Sequence, residues 1–518
     1  MKTPHLATPA RSASAGCAGR PLECAKRRLP TVAALVIALA STIVMTFAGC
    51  ASTGGIEPHA KPLAPAQVGL GESAAANTAA NAAAIAPAWW TEFGDPTLSA
   101  LVERAVAESP NLRVSQARVD SAAASVAATQ ASAGPQVNGT FEATRQRFSA
   151  NSIYPPPIGG SILNTSVLQA AGSWELDLFG RNRAALEAAV GAERAAEADR
   201  EAARVLLSSN VVRSYLQLAR LAEQRDIAQR TLADREALLG LIRQRVQGGL
   251  DTAVELRQGE AALPEIRQQI EALDEQIVLM RHALAALTVQ PPAALDGLLP
   301  RLASLRAVTL PDVLPADLLG RRPDIAAARW RIEAASREVA VARAQFYPNI
   351  NITAFIGLSS VGFERLLHSG SDQYGVGPAI HLPIFDAGRL RANLRGRAAD
   401  VDLAVESYNG ALLDAVRDVA DQLGSLQSLQ RQQHEQALAV AAAESAFDLA
   451  TQRYRAGLAT YLTVLNAESA VLTQRRTGAD LQARTLDAQV ALIRALGGGY
   501  FMAPQDLAAA PGPELAAR

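Results

Sequence analysis

The chain has 518 residues, with 49 lysines and arginines against 50 acidic residues and a formal net charge of −1. Aromatic residues make up only 4% of it although 49% is hydrophobic. The bias toward Ala, Leu, Glu, Gln and Arg is that of extended helices and coiled coils rather than wide aromatic cores. The balanced charge argues against a nucleic-acid binder, and three cysteines cannot build a disulfide framework.

Residues 1–28 carry Lys2, Arg11, Arg20, Lys26, Arg27 and Arg28 against the single acid Glu23. An apolar run from Thr31 to Phe47 follows, and then Ala48-Gly49-Cys50. A basic region, an apolar region and small residues before a cut describe a secretory signal. A cysteine directly after Ala-Gly marks a lipobox-like site, with Phe47 where a lipobox usually has Leu. The alternative is a transmembrane anchor, because the run of 17 residues sits at the lower limit for spanning. On the lipoprotein reading, residues 1–49 are removed and Cys50 becomes the N-terminus, carrying a diacylglycerol and an N-acyl chain. The mature chain then has 43 basic and 49 acidic residues, a net charge of −6. Several acyl chains anchor stably where one is marginal. Residues 50–88 are Ala/Pro/Gly-rich without periodicity and read as a tether.

The body is one pattern written twice. Ser109-Pro110-Asn111-Leu112 opens a helical segment that ends at Gly134-Pro135, and Arg322-Pro323-Asp324-Ile325 opens another that ends at Tyr347-Pro348; both pairs of prolines are 213 positions apart. Further on, Gln244-Arg245 followed by Gly248-Gly249-Leu250 recurs as Gln452-Arg453 followed by Ala456-Gly457-Leu458, at an offset of 208. Thr252 with Thr460 and Glu260 with Glu468 hold that second register. A unit of about 200 residues is duplicated, as 89–300 and 301–500, with 501–518 a tail.

Each copy reads as a helix, two strands and two very long helices. Val405, Leu412, Val419 and Leu426 are spaced by seven, as are Leu465, Leu472, Ala479, Leu486 and Ile493, while Val205, Val212, Leu216 and Ala219 occupy the equivalent seam of the first copy. Nothing breaks the helix from about Arg181 to Gln247, a rod on the order of 100 Å at 1.5 Å per residue. Gly248-Gly249 turns the chain, and a second rod returns from Thr252 to Thr288 with Pro264 expected to kink it or loosen one turn. Hairpins are expected at 181–288 and 388–496. The turns Arg245–Thr252 and Arg453–Thr460 then lie together at the far end, each with Thr as the N-cap of the returning helix.

Strands are expected at about 135–148, 163–179, 348–360 and 373–386. Ile350, Ile352, Ala354, Ile356 and Leu358 alternate with Asn349, Asn351, Thr353, Phe355 and Gly357, and the other three segments alternate likewise. One apolar and one polar face over about ten residues suits a lipid-facing barrel with a wet lumen; a half-buried sheet in water is the alternative. Four strands cannot close a barrel, and an open edge in lipid is not viable, so membrane-spanning strands require an oligomer.

Leu318-Leu319-Gly320-Arg321-Arg322-Pro323-Asp324-Ile325 with Ala344-Gln345-Phe346-Tyr347-Pro348, Trp89-Trp90 through Asp95-Pro96-Thr97-Leu98, Glu175-Leu176-Asp177-Leu178-Phe179-Gly180-Arg181 and Phe385-Asp386-Ala387-Gly388-Arg389 resemble the signatures of TolC-like outer-membrane efflux factors. With the lipobox, the chain most resembles the lipoprotein branch that serves resistance-nodulation-division pumps, over about residues 89–500. The resemblance implies a mainly α fold with membrane β: a homotrimer pooling its strands into a 12-stranded barrel and its rods into a 12-helix periplasmic tunnel. It implies that Gly248, Gly249, Leu250, Ala456, Gly457 and Leu458 dock hairpins of a periplasmic adaptor. It places a constriction at Tyr454, Leu462 and Asn466, where relatives often carry Asp in place of the last. Ordinary turn-making and coiled-coil packing are the alternative roles of these residues.

The sequence has no phosphate-binding GxxxxGK, no GxSxG elbow, no HExxH and no paired-cysteine metal spacing. His59, His282, His368, His381 and His434 are scattered. The reading is therefore a passive exit duct without enzymatic activity, cofactor or nucleic-acid partner, anchored in the outer membrane and exporting small toxic compounds from an inner-membrane pump. Its rivals are the exit duct of a type I protein secretion system and a periplasmic adaptor or structural coiled coil.

Overall fold

A computed structural model describes residues 53–64, 67, 85–308 and 321–500. The signal segment, Cys50, Leu318-Leu319-Gly320 and the tail 501–518 lie outside the described residues. In chain order the fold comprises α1 (Pro96–Glu108), α2 (Pro110–Ser132), β1 (Gln136–Arg147), β2 (Ile162–Leu176), α3 (Arg181–Gln247), α4 (Ala253–Leu287), α5 (Pro323–Ala344), β3 (Asn349–Val361), β4 (Asp372–His381), α6 (Arg389–Arg455) and α7 (Tyr461–Ala495). Among these described helices none is long and apolar enough to cross a membrane.

The duplication holds to the residue in the rods. Helices α3 and α6 are both 67 residues long, and α4 and α7 are both 35. The change of offset falls in the strand hairpins, whose connecting loops are residues 148–161 and 362–371. Glycines with positive φ, Gly180 (75°) and Gly388 (87°), turn the chain from sheet to rod in both copies, a backbone region costly to residues with a Cβ. Helix α4 runs unbroken through Pro264, so the missing proline N–H removes one hydrogen bond without ending the helix.

The four strands form one antiparallel meander in the order β1-β2-β3-β4. Its register settles which residues share a face. Val137 lies opposite Gly172, then Ala354 and Val376; Phe141 opposite Leu168 and Leu358; Ala170 opposite Ile356 and Tyr374; Leu176 opposite Ile350 and Ile380. Val137, Phe141, Leu168, Trp174, Ile356, Tyr374, Val376 and Ile380 are all exposed in the single chain. The other face carries Asn138, Thr140, Glu142, Gln169, Ser173, Thr353, Gln373 and His381. Two strands are shorter than the alternation suggests. β2 stops at Leu176 because the Leu178 N–H bonds back to the Leu176 carbonyl and the Asp177 carboxylate accepts from the Arg183 N–H. β4 stops at His381, ahead of Pro383, which lacks a ladder donor, and Asp386 then accepts from the Gly388 and Leu390 N–H groups to start α6.

Packing runs along the rods in the order α4-α3-α7-α6, with α2 and α5 against α3, and α5 also against α6. The heptad residues are inside: Val205, Val212, Leu216, Val405, Leu412, Leu486 and Ile493 are buried. The alanine content has its reason in the α3–α5 contact. Ala184, Ala188, Gly191, Ala195 and Ala198 make a buried stripe at helical spacing, and a Cβ on Gly191 would sit 3.2 Å from Ala334. Small side chains let single-layer rods approach closely. A buried aromatic cluster sits at mid-rod, where Trp89 meets Trp90 and Phe93 edge-on at 5.9 and 6.2 Å. Asp95 caps α1 by accepting from Thr97 and Leu98, and it also accepts from the Tyr215 hydroxyl of α3 at 2.6 Å.

The described part of the expected tether is a docked strap. Ile56 is buried among Val339, Ala342, Leu394, Ala398, Val401 and Val405. Asp402 Oδ1 accepts from the His59 and Ala60 N–H groups, both at 2.7 Å. Asn409, two turns on, accepts from the Leu63 N–H and donates to the Lys61 carbonyl at 2.8 and 3.1 Å. Recognition of backbone rather than side chains explains why no periodicity marks this stretch. Replacing Asp402 with alanine orphans two N–H donors, a loss of about 1–3 kcal/mol, and limited proteolysis of Asp402→Ala is expected to cut residues 53–64 that resist in the parent protein.

Helical tips and the clasp between the hairpins

The two helical turns are copies in three dimensions. In the first, the N–H groups of Gly248, Gly249 and Leu250 donate to Gln244, Val246 and Arg245 at 3.0, 3.1 and 2.8 Å; in the second, those of Ala456, Gly457 and Leu458 donate to Gln452, Tyr454 and Arg453 at 3.0, 3.0 and 2.8 Å. This is the Schellman arrangement, which needs a left-handed residue after the cap, and Gly249 and Gly457 supply it at φ 68° and 77°. It leaves Leu250 69% and Leu458 70% exposed. The restart of the helix differs between copies. Thr252 forms a full capping box with Glu255. Thr460 occupies the N-cap position, but its hydroxyl pairs with that of Thr463 and caps no backbone donor.

The tips are tied to each other by a clasp. The Arg245 guanidinium grips Asp251 with Nε and Nη2 at 2.9 and 3.3 Å and lies 4.7 Å over the Tyr454 ring. The Tyr454 hydroxyl donates to Asp251 Oδ2 at 2.5 Å, joining the end of α6 to the turn between α3 and α4. Burial by itself raises the Asp251 carboxyl, but hydrogen bonds from Arg245 and Tyr454 outweigh it and hold the group below the ordinary aspartate range. Burial, followed by the bond to Asp251, pushes the Tyr454 phenol up. Tyr454 is therefore inside the chain. Leu462, 53% exposed, and Asn466, also exposed, share a face of α7 one turn apart. The three residues grouped as a constriction divide into one internal tether and two residues on an open face.

A second tie lies farther up the rods. Arg235 of α3 and Glu468 of α7 are 7% and 5% exposed, with Nε to Oε2 at 2.9 Å, and Arg235 Nη1 also donates to the Ala262 carbonyl of α4 at 2.8 Å. Burial drives the Glu468 carboxyl up while Arg235 opposes it. With Arg220–Asp480 at 2.8 Å and Arg213–Asp487 at 2.6 Å, it forms a ladder in which every cation comes from the first hairpin and every anion from the second. Sequence reasoning missed Asp251 and the ladder. The copies themselves carried a signal: Tyr454 stands where the first repeat has Val246, and Asp251 where the second has Ala459.

A family model described as outer membrane efflux protein matches residues 101–289 and 314–498, one match per repeat. The chain belongs to the outer membrane efflux protein family. It is 38% identical to the fusaric acid resistance protein FusA of Burkholderia cepacia over 70% of this chain and 69% of that one. It is 35% identical to the pyoverdine export outer membrane protein OpmQ of Pseudomonas aeruginosa, over 81% and 89%. The outer membrane protein VceC of Vibrio cholerae superposes with a TM-score of 0.75 at 35% identity, covering 80% of this chain and all of that one. Within this family the chain is an efflux channel component of the outer membrane.

The family signatures prove to be fold locks rather than reactive groups. Arg322 pairs with Asp324 and donates to the Ala495 carbonyl, fastening the start of α5 to the end of α7. The five histidines after Cys50 are exposed, and among the described residues no group of three or more His, Cys, Asp and Glu could hold a metal ion.

Because Asp251 titrates lower in the folded chain, its contribution is complete above its unfolded value of about 3.9 and is lost as pH falls through the folded value. Hydrogen exchange at residues 244–252 is expected to quicken in Asp251→Asn and in Tyr454→Phe, the latter by roughly 1 kcal/mol. The parent chain should show the same loosening only in acid below the ordinary aspartate range.

Proposed function

We propose that three copies of this chain form a lipid-anchored duct that spans the outer membrane and carries small toxic compounds away from an inner-membrane resistance-nodulation-division pump. The observation that carries this reading is the four-stranded meander, apolar on one exposed face and unpaired at β1 and β4. In hydrocarbon each unpaired backbone group costs several kcal/mol, so the edges must meet those of other copies. Three chains supply twelve strands, within the known range of closed outer-membrane barrels. The rods support the same count. The outer rods of the layer, α4 and α6, expose Val254, Val278 and Leu279 on one and Leu438 and Leu449 on the other, apolar faces suited to pairing α4 of one copy with α6 of the next.

The exposed leucines at the tips suit apolar docking of adaptor hairpins, with Gly248, Gly249, Ala456 and Gly457 holding the turns that present them. Leu462 and Asn466, on one open face just inside this end, suit a narrow apolar collar that resists hydrated solutes. The duct needs no catalytic step: energy comes from the pump, and passage requires the tips to separate. The strap supports the lipid anchor. It runs from Ile56, near Leu394 and Val401, to Leu63, near Leu412, so its upstream end points to the sheet end of α6. Ile56 is six positions after Cys50, about 20 Å when extended, enough to bring a diacylated Cys50 to the membrane edge of the barrel. Small-molecule cargo is favoured over polypeptides because relatives are named for fusaric acid resistance and pyoverdine export.

The detergent-purified chain is expected to have the mass of three copies and to image as a tapered tube longer than about 100 Å; a monomer would remove the duct reading. Leu250→Asp with Leu458→Asp should leave that trimer intact while abolishing drug resistance restored to a deletion strain, and retained resistance would exclude the tips as the docking site. Cys50→Ser should abolish incorporation of labelled palmitate.

A further inference from the structure

At the middle of the helical body the rods enclose a trough of about 1260 Å³, lined by residues of α3, α4, α6 and α7. Two observations place it on the open side of the wall. On α3 the trough residues Arg213, Gln217 and Arg220 alternate with Val211, Tyr215 and Leu218, which are buried in the mid-rod core that also holds Trp89, Phe93 and Leu302. That core, with α1, covers the opposite face. On α7 the trough residues Asp480 and Asp487 continue, at seven-residue steps through Thr473, the stripe that begins at exposed Asn466. The trough and the proposed collar therefore share one face.

The charge in the trough is one-sided. Both aspartates are already bound: Asp487 by Arg213 at 2.6 and 3.0 Å, and Asp480 by Arg220 and Gln224 at 2.8 and 2.7 Å. Arg431 of α6 and Arg484 of α7 are exposed to the trough and have no ion pair or hydrogen bond among the described residues. Glu435 is the lining carboxylate in the same position. Two free guanidiniums against one free carboxylate leave a positive excess in each chain. Guanidinium stays charged at any physiological pH and offers a planar fork matched to carboxylates, and charge set in a low-dielectric concave wall concentrates counter-ions beyond what an open surface does.

We infer that this trough is an anion-selecting belt, in which Arg431 and Arg484 draw small organic anions, carboxylates in particular, along the duct. The inference rests on the duct reading above. Three copies would set six such arginines around one bore, within the roughly 8 Å over which charges act at physiological salt of any solute passing the wall.

The test uses the full-length lipidated protein, checked for trimer mass, in planar bilayers under a potassium chloride gradient. The chloride-over-potassium permeability ratio from the reversal potential is expected to fall at least about two-fold in the R431Q/R484Q variant and to rise in E435Q. Salicylate added to one side should reduce chloride current in the parent protein and not in the double variant, with ethidium making no distinction. Unchanged ratios in both variants would overturn the belt while leaving the duct intact. Absence of conductance in every preparation, including one whose tip clasp is opened by Asp251→Asn with Tyr454→Phe, would instead overturn the duct, and the belt with it.

Discussion

An unpaired β-strand edge can be solvated by water but by nothing in hydrocarbon. This chain ends its sheet in two such edges and leaves the apolar residues from Val137 to Ile380 exposed on one face. Nearly every other feature can be read as a response to that constraint. In the proposed trimer, a sheet completed by copies of itself needs its rods to assemble in step with its strands. The outer rods accordingly keep apolar faces free, whereas the inner seam between α3 and α7 is satisfied within the chain by charge. Arg213, Arg220 and Arg235 with Asp487, Asp480 and Glu468 make that seam directional. Like-signed neighbours on each rod resist any pairing of two first hairpins or two second hairpins.

Duplication gave two equal hairpins, and function required them to differ. Glu260 and Glu468 occupy equivalent positions, yet Glu260 is a surface group paired with Arg257 while Glu468 is buried against Arg235. The tip clasp arises at positions where the copies diverged, since Tyr454 replaces a valine and Asp251 faces an alanine counterpart. One gene-level event thus supplied the scaffold, and a few substitutions converted a symmetric pair into one whose tips are tied together.

What could be read from the sequence follows from which forces are periodic. The long helices, the repeat boundaries and the faces of the strands were legible because burial repeats every seven or every two residues, and Val405, Leu486 and Ile350 fall where their spacing placed them. Strand ends were less legible, because Asp177 and Pro383 end pairing through single hydrogen bonds that leave no periodic trace. Docking of residues 53–64 was not legible for a similar reason: Asp402 and Asn409 hold the main chain of this stretch, and side-chain composition says little about that. The grouping of Tyr454 with Leu462 and Asn466 rests on the family resemblance, while the fold turns the tyrosine inward to Asp251.

The strap also bears on the order of events as the chain is made. His59 and the Asp402 that receives it are 343 residues apart, so the dock is translated long after the segment that fills it. Until then the arm's backbone donors are bound to water, and it can seat only once α5 and α6 have packed. Contacts of such sequence separation form late. Docking of the arm therefore reports on completion of the second repeat, and a chain truncated before Asp402 would leave residues 53–64 without their acceptor.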